Sequence, residues 1–153
     1  MIKIIDCNLF DIDAEVICHQ VNCIGTMMGS VAGQVRERFP EVFEVYRQLC
    51  ESVGVPRSLL GTLCDVPVLR NGKTVVICSL FEQDSYPNGV CFTDYDALAV
   101  SLGKVREKYG DKRIAMPYRM SCSLAGGDWR IIEKIILDTF GGCDVTLCRH
   151  ERI

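Results

Sequence analysis

The residues best suited to chemistry are two glycine-bearing segments. Residues 23–30 read C-I-G-T-M-M-G-S, and residues 118–127 read Y-R-M-S-C-S-L-A-G-G. Each follows a short apolar run and leads into an amphipathic stretch. A glycine loop feeding a helix start turns backbone N–H groups outward at the positive end of the helix dipole. That arrangement takes anions, and organic phosphates in particular. One such loop is often no more than a turn. Two at equivalent strand-to-helix junctions make a phosphate site the stronger reading.

Other chemistries fit less well. The ten cysteines include no C-x-x-C pair and there are only two histidines, so a structural zinc site is disfavoured. Cys18, Cys64, Cys78 and Cys148 sit inside strand-like runs, as small core residues do. A disulfide framework is not expected in a chain with this much apolar material. The net charge is -3 and no basic stripe is present, which argues against tight binding to duplex nucleic acid. An anion would therefore be held by backbone and helix ends. No apolar stretch is long enough to span a bilayer, and the opening M-I-K-I-I-D is too short and too quickly acidic for a signal peptide. The expected compartment is the cytoplasm. No cofactor and no metal are expected.

The elements that must position the loops can be read from periodicity. With 153 residues, 48% of them hydrophobic, the chain is expected to be a single domain over 1–153. Residues 2–6 and 15–22 read as buried strands. Val31, Val35 and Phe39 mark a helix punctuated by Pro40; Val42, Tyr46, Leu49 and Val53 mark a second. A turn over 54–58 follows. Residues 63–69 and 73–81 flank Asn71-Gly72, a hairpin signal. Residues 82–92, with Pro87 and Asn88-Gly89, read as an exposed loop. Thr93 then caps a helix carrying Tyr95, Leu98, Leu102, Val105 and Tyr109. Residues 113–117 form a strand. Asp128 caps the last helix, with Ile132, Ile136 and Phe140 inward and Gly141-Gly142 as its stop. Trp129 reads as core. Residues 144–148 close the chain as a strand. This order predicts a three-layer α/β/α sandwich on a mixed, mostly parallel sheet of about six strands. Ligands in such sheets bind beyond the carboxyl ends of the strands.

The segment H-Q-V-N-C-I-G-T-M-M-G-S-V-A-G-Q-V-R-E-R-F-P, residues 19–40, resembles the first ligand loop and helix of macro domains. The segment M-P-Y-R-M-S-C-S-L-A-G-G-D-W, residues 116–129, resembles their second ligand loop. The likeness is to the branch with ADP-ribose-1″-phosphate phosphatases, the terminal ADP-ribose protein glycohydrolase and small bacterial and phage macro proteins. It implies a site for ADP-ribose or an ADP-ribosylated macromolecule. Nucleic acid would be a partner only if ADP-ribosylated. By position, Asn8 would read adenine and Leu9 would contribute backbone. Asn22 and Gly25 would lie near the distal ribose. Met28, Gly29, Ser30 and Val31 would cradle the phosphates. Cys122, Ser123, Leu124, Ala125, Gly126 and Gly127 would close over the diphosphate. Phe10 and the Cys148-Arg149-His150 tail are both open as the group that stacks on adenine.

The chain departs from the family in two places. Relatives show M-G-x-G where this chain has Met28-Gly29-Ser30, so Ser30 falls where glycine's backbone freedom is called for. The lysine nucleophile of the glycohydrolase relative has no counterpart: residues 77–83 read I-C-S-L-F-E-Q, and the acidic partner position holds Ala125. The phosphatase-like branch implies instead a His and an acid, here His19 and Asp128, as base and carboxylate for hydrolysis at the distal ribose. Against this, His19 lies between Ile17 and Val21 on a strand and fits a core residue; Asp128 fits a helix cap. A nucleophilic Cys23 or Cys122 would need His19 as its base. The expected function is ADP-ribose binding with hydrolysis at the distal ribose; the alternatives are a non-catalytic reader, or a fold that has lost its ligand and works through protein contacts.

Overall fold

The computed structural model describes residues 1–85, 88, 90–120 and 126–150. The strands are β1 (Ile2–Asp6), β2 (Val16–Asn22), β3 (Leu63–Arg70), β4 (Lys73–Ser85), β5 (Cys91–Thr93), β6 (Arg113–Pro117) and β7 (Asp144–Arg149). The helices are α1 (Ser30–Arg38), α2 (Pro40–Glu51), α3 (Tyr95–Tyr109) and α4 (Trp129–Thr139), with a 3-10 turn at Pro56–Leu59. The seven strands form one sheet in the order β1-β7-β6-β2-β4-β3, with β5 beside β4. Only β3 and β5 run antiparallel to their neighbour. Among the described residues no helix is long and apolar enough to cross a membrane.

Two apolar clusters fill the two faces of the sheet. On one, Val35 of α1, Phe39 between the helices, and Val42 and Tyr46 of α2 pack on Ile17, Val21, Ile77 and Phe81. On the other, Leu98, Leu102, Ile132 and Ile136 of α3 and α4 pack on Val16, Cys18, Leu80 and Val145. Adjacent strand residues point to opposite faces, so the apolar runs Val16–Cys18 of β2 and Val75–Cys78 of β4 serve both layers at once. This is the three-layer sandwich the element order predicts.

Two local expectations are corrected. Residues 82–85 and 91–92, expected within an exposed loop, are strand: β4 continues to Ser85, Glu82 and Asp84 are buried, and β5 pairs with residues 83–85. The polar residues there are covered by tertiary neighbours; Asp84, for one, meets Arg57 at 3.2 Å. Thr93 belongs to β5, and the cap of α3 is Asp94, whose carboxylate accepts the Ala97 N–H at 2.9 Å. The hairpin at Asn71-Gly72 forms as read, with both residues in the left-handed region that a tight primed turn requires. Pro40 does not simply end a helix; it begins α2, where its missing N–H costs nothing.

Candidate functional site

Two cavities adjoin beyond the carboxyl ends of the central parallel strands. The larger, about 560 Å³, is bounded by Asn8, Leu9 and Phe10 on one side and by Pro117, Tyr118, Arg119 and Met120 on the other. Val31 and Gln34 of α1 and Cys148 and His150 at the end of β7 complete it. The smaller, about 230 Å³, is walled by Asn22, Thr26, Met28 and Gly29 of the first loop and by Gln83 and Cys91 of β4 and β5. Gln20 and Ser30 belong to both, so the cavities form one cleft with its joint at the start of α1.

Asn22 builds the first loop. Its amide nitrogen donates to the Thr26 carbonyl at 3.0 Å and to the Thr26 hydroxyl at 2.8 Å. Its amide oxygen accepts from the Ile24 N–H at 3.1 Å and from the Tyr46 hydroxyl at 2.5 Å. Tyr46 also donates to the Asn22 carbonyl at 2.9 Å, tying the loop to α2. Burial pushes the Tyr46 hydroxyl well above its ordinary range, so it stays a neutral donor. Asn22 thus lines the smaller cavity with its polar atoms already engaged by the loop. Gly25 supplies a positive φ of 86° at the loop's apex and does not itself line a cavity.

The start of α1 is open. Gly29 is its N-cap at φ 69° and ψ 165°, with no side-chain cap and no acid in the first turn. By contrast α3 and α4 are each capped by an aspartate. Ser30, Val31 and Ala32, the first turn whose N–H groups lack an intrahelical acceptor, line the cleft at its joint, as an anion site needs. Ser30 is held at φ 50°, the left-handed region expected from its displaced glycine. A side chain there costs about 1 kcal/mol. Ser30→Gly is therefore expected to raise stability by roughly 0.5–1 kcal/mol in chemical denaturation, with no loss of ligand affinity.

The larger cavity has its own scaffold. Arg70 donates to the carbonyls of Phe10 at 2.7 Å and Ile12 at 2.6 Å, pinning the loop after β1. The Asn8 side-chain oxygen accepts the Phe10 N–H at 2.9 Å, leaving its NH₂ group for a ligand. Leu9 and Phe10 are buried in the wall. Phe10 packs on Phe39 and carries the Arg38 guanidinium over its ring, so its faces are already covered. Tyr118 is the less buried aromatic at the cavity, braced by Trp129 with ring centres 5.1 Å apart.

His19 is not at the cleft. It is fully buried, shares the face of Ile17 and Val21, and its Nε2 pairs with the Ser79 hydroxyl at 2.7 Å. It bounds neither cavity. Burial pushes its pKa from 6.5 down to about 3, so the folded protein keeps it neutral. Between those values the unfolded chain binds one more proton, and stability falls as pH drops from 6.5 toward 3. The His19 contribution has a slope approaching 1.4 kcal/mol per pH unit. Denaturation midpoints at pH 7.5 and 5.5, compared with His19→Gln, should show that part of the slope vanish in the variant.

Asp128 caps α4, accepting the Arg130 N–H at 3.0 Å, while its own N–H donates to the Tyr95 hydroxyl at 2.9 Å. The Arg130 hydrogen bond and charge hold its carboxyl below the usual range. Asp128, Gly126 and Gly127 line neither cavity. Cys122, Ser123, Leu124 and Ala125 lie outside the described residues. Cys23 is buried, and burial pushes its thiol up to about 12, which removes it as a nucleophile. The structure adds cleft residues that the sequence reading did not single out: Gln20, Thr26, Gln34, Arg119, Met120 and Cys91. Gln20 had a visible signal. It follows His19 near the end of a strand, so its side chain takes the opposite face.

A mixed sandwich with an uncapped helix start after the first glycine loop, and a cleft over the strand ends, gives this chain the fold of macrodomains of known structure. No family model matches it. Its sequence is similar to the ADP-ribose 1″-phosphate phosphatase of Saccharomyces cerevisiae (strain YJM789), with 22% identity over 88% of this chain and 89% of that one. It is 24% identical to the DNA ADP-ribosyl glycohydrolase of Mycobacterium tuberculosis over 87% of its length, but spans only 37% of that protein. Its fold is similar to the macrodomain of Mycobacterium tuberculosis DarG, with a TM-score of 0.79 and 22% identity over 100% of this chain and 99% of that one.

Proposed function

We propose that the cleft binds ADP-ribose in an extended pose. Adenosine occupies the larger cavity, the diphosphate lies over the start of α1, and the distal ribose enters the smaller cavity. The observation that carries this reading is the joint itself: two cavities meet where Gly29 and Ser30 leave a helix start uncapped. A diphosphate supplies the missing acceptors for those N–H groups. Asn8 would donate its NH₂ group to adenine.

We further propose hydrolysis at the distal ribose, of ADP-ribose-1″-phosphate or of an ADP-ribosyl group on a macromolecule. Kinship with proteins named as a phosphatase and a glycohydrolase supports it. Nucleic acid enters only as a carrier of the ADP-ribosyl group. A cytoplasmic location is supported by the high cysteine content, with no disulfide assigned among the described residues. A lysine adduct is disfavoured, since no lysine borders either cavity among the described residues. Asp128 lines neither cavity; it is proposed as the carboxylate only from its position at the end of the second loop. Asn caps as well as Asp, so Asp128→Asn should keep the melting temperature within about 2 °C while lowering turnover at least tenfold. Unchanged turnover would remove Asp128 from the chemistry.

One observation favours a second reading, a non-catalytic reader. Cys91 is the one ionisable side chain bordering the smaller cavity among the described residues, and burial and Asp84 push its thiol up. The deciding experiment incubates the protein with ADP-ribose-1″-phosphate and with ADP-ribosylated DNA and protein, alongside calorimetry with ADP-ribose. Released phosphate or ADP-ribose supports the enzyme. Binding without release supports the reader, and absence of heat at millimolar ligand rejects both.

A further inference from the structure

Gln20 stands at the joint of the cleft, in the wall of both cavities. Its side-chain oxygen is buried, and among the described residues none donates to it. A buried amide oxygen without a donor is an unfavourable arrangement that a ligand can relieve. The neighbouring amide of Asn22 cannot compete for that role, because the loop and Tyr46 already occupy it. We infer that Gln20 is a specificity residue, and that its side-chain oxygen accepts a hydroxyl of the distal ribose. This rests on the proposed ADP-ribose pose. The diphosphate carries no donor at neutral pH, and the adenine amino group lies at the far end beside Asn8. That leaves ribose hydroxyls as the donors within reach of the joint. The proximal ribose belongs to the adenosine in the larger cavity; the distal ribose is the sugar that passes Gln20 to enter the smaller one. The site therefore distinguishes ADP-ribose from ADP by filling this acceptor. It selects for a hydroxyl-bearing group beyond the diphosphate.

The test is calorimetric titration of the wild type, Gln20→Met and Gln20→Glu with ADP-ribose and with ADP, each protein checked by thermal melting. The wild type should prefer ADP-ribose. Gln20→Met removes the acceptor at similar volume, and should weaken ADP-ribose about five- to tenfold while leaving ADP within twofold. Gln20→Glu places a negative charge beside the diphosphate, and should weaken both ligands at low salt. Equal losses for ADP and ADP-ribose in Gln20→Met, or no loss for either, overturn the assignment while the ADP-ribose reading stands. An unaffected Gln20→Glu overturns the placement of Gln20 at the diphosphate joint. Wild-type protein that binds neither ligand overturns the ADP-ribose reading itself, and this inference with it.

Discussion

Asn22→Ala is expected to lower stability by about 3 kcal/mol, roughly 10 °C in melting temperature, and to weaken ADP-ribose at least thirtyfold. The side chain is a hub. It receives the Ile24 N–H and the Tyr46 hydroxyl, and it donates twice to Thr26. Alanine leaves the Tyr46 hydroxyl with the Asn22 and Thr26 carbonyls, at 2.9 and 3.3 Å, and releases the loop that carries Met28 and Gly29. Loss of affinity then follows from loss of loop order, since no polar atom of Asn22 is left over for the ligand. Asn22→Asp separates the two effects. It keeps the acceptor and its loop bonds but loses both donations to Thr26, and it sets a negative charge near the diphosphate. Its stability loss should be under half that of alanine, with an equal or larger loss of affinity. Chemical denaturation and calorimetry on both variants check this. An alanine variant that melts like wild type would refute the hub.

Gly29→Ala is expected to abolish measurable ADP-ribose binding at a stability cost of about 2 kcal/mol. The backbone there, at φ 69° and ψ 165°, lies in a region that side chains essentially do not enter. Adding a Cβ forces the residue out of it and swings the first turn of α1. The N–H groups of residues 30–32 then no longer converge on the joint. Ser30 makes the useful contrast. Its φ of 50° is left-handed helical, which a non-glycine residue tolerates at modest cost. The displaced glycine of the M-G-S sequence is therefore accommodated: Gly29 takes the conformation only glycine can, and Ser30 takes the next one under mild strain. Calorimetry on Gly29→Ala and Ser30→Gly should give opposite stability changes and leave only the first unable to bind.

The cleft was legible in the sequence where backbone alone makes it. Glycines 25 and 29 and the helix start at residue 30 are local features, and the loops lie at strand ends because chain order puts them there. The layer architecture was legible for a similar reason, since periodicity reports which face each residue offers. Asp128 could be read as a cap from its position alone, and it is one. The course of residues 82–85 and 91–92 could not be read. Glu82 and Asp84 look like a solvated loop until the fold covers them and β5 pairs alongside.

The side chains that face the ligand required the tertiary structure. His19 and Gln20 are consecutive polar residues on one strand, and composition cannot say which one the cleft receives. The sheet decides it by alternation: His19 is sealed against Ser79 in the core, while Gln20 opens on the joint. Asn22 could be expected to touch the ribose, yet long-range contact with Tyr46, 24 residues on, commits it to the loop. The sequence by itself determined the glycine-loop backbone at the helix start and the layers, because both follow from short-range steric and periodic rules. Only the tertiary structure decided which polar atoms are spent on the fold and which remain for a ligand, because that depends on partners distant in the chain.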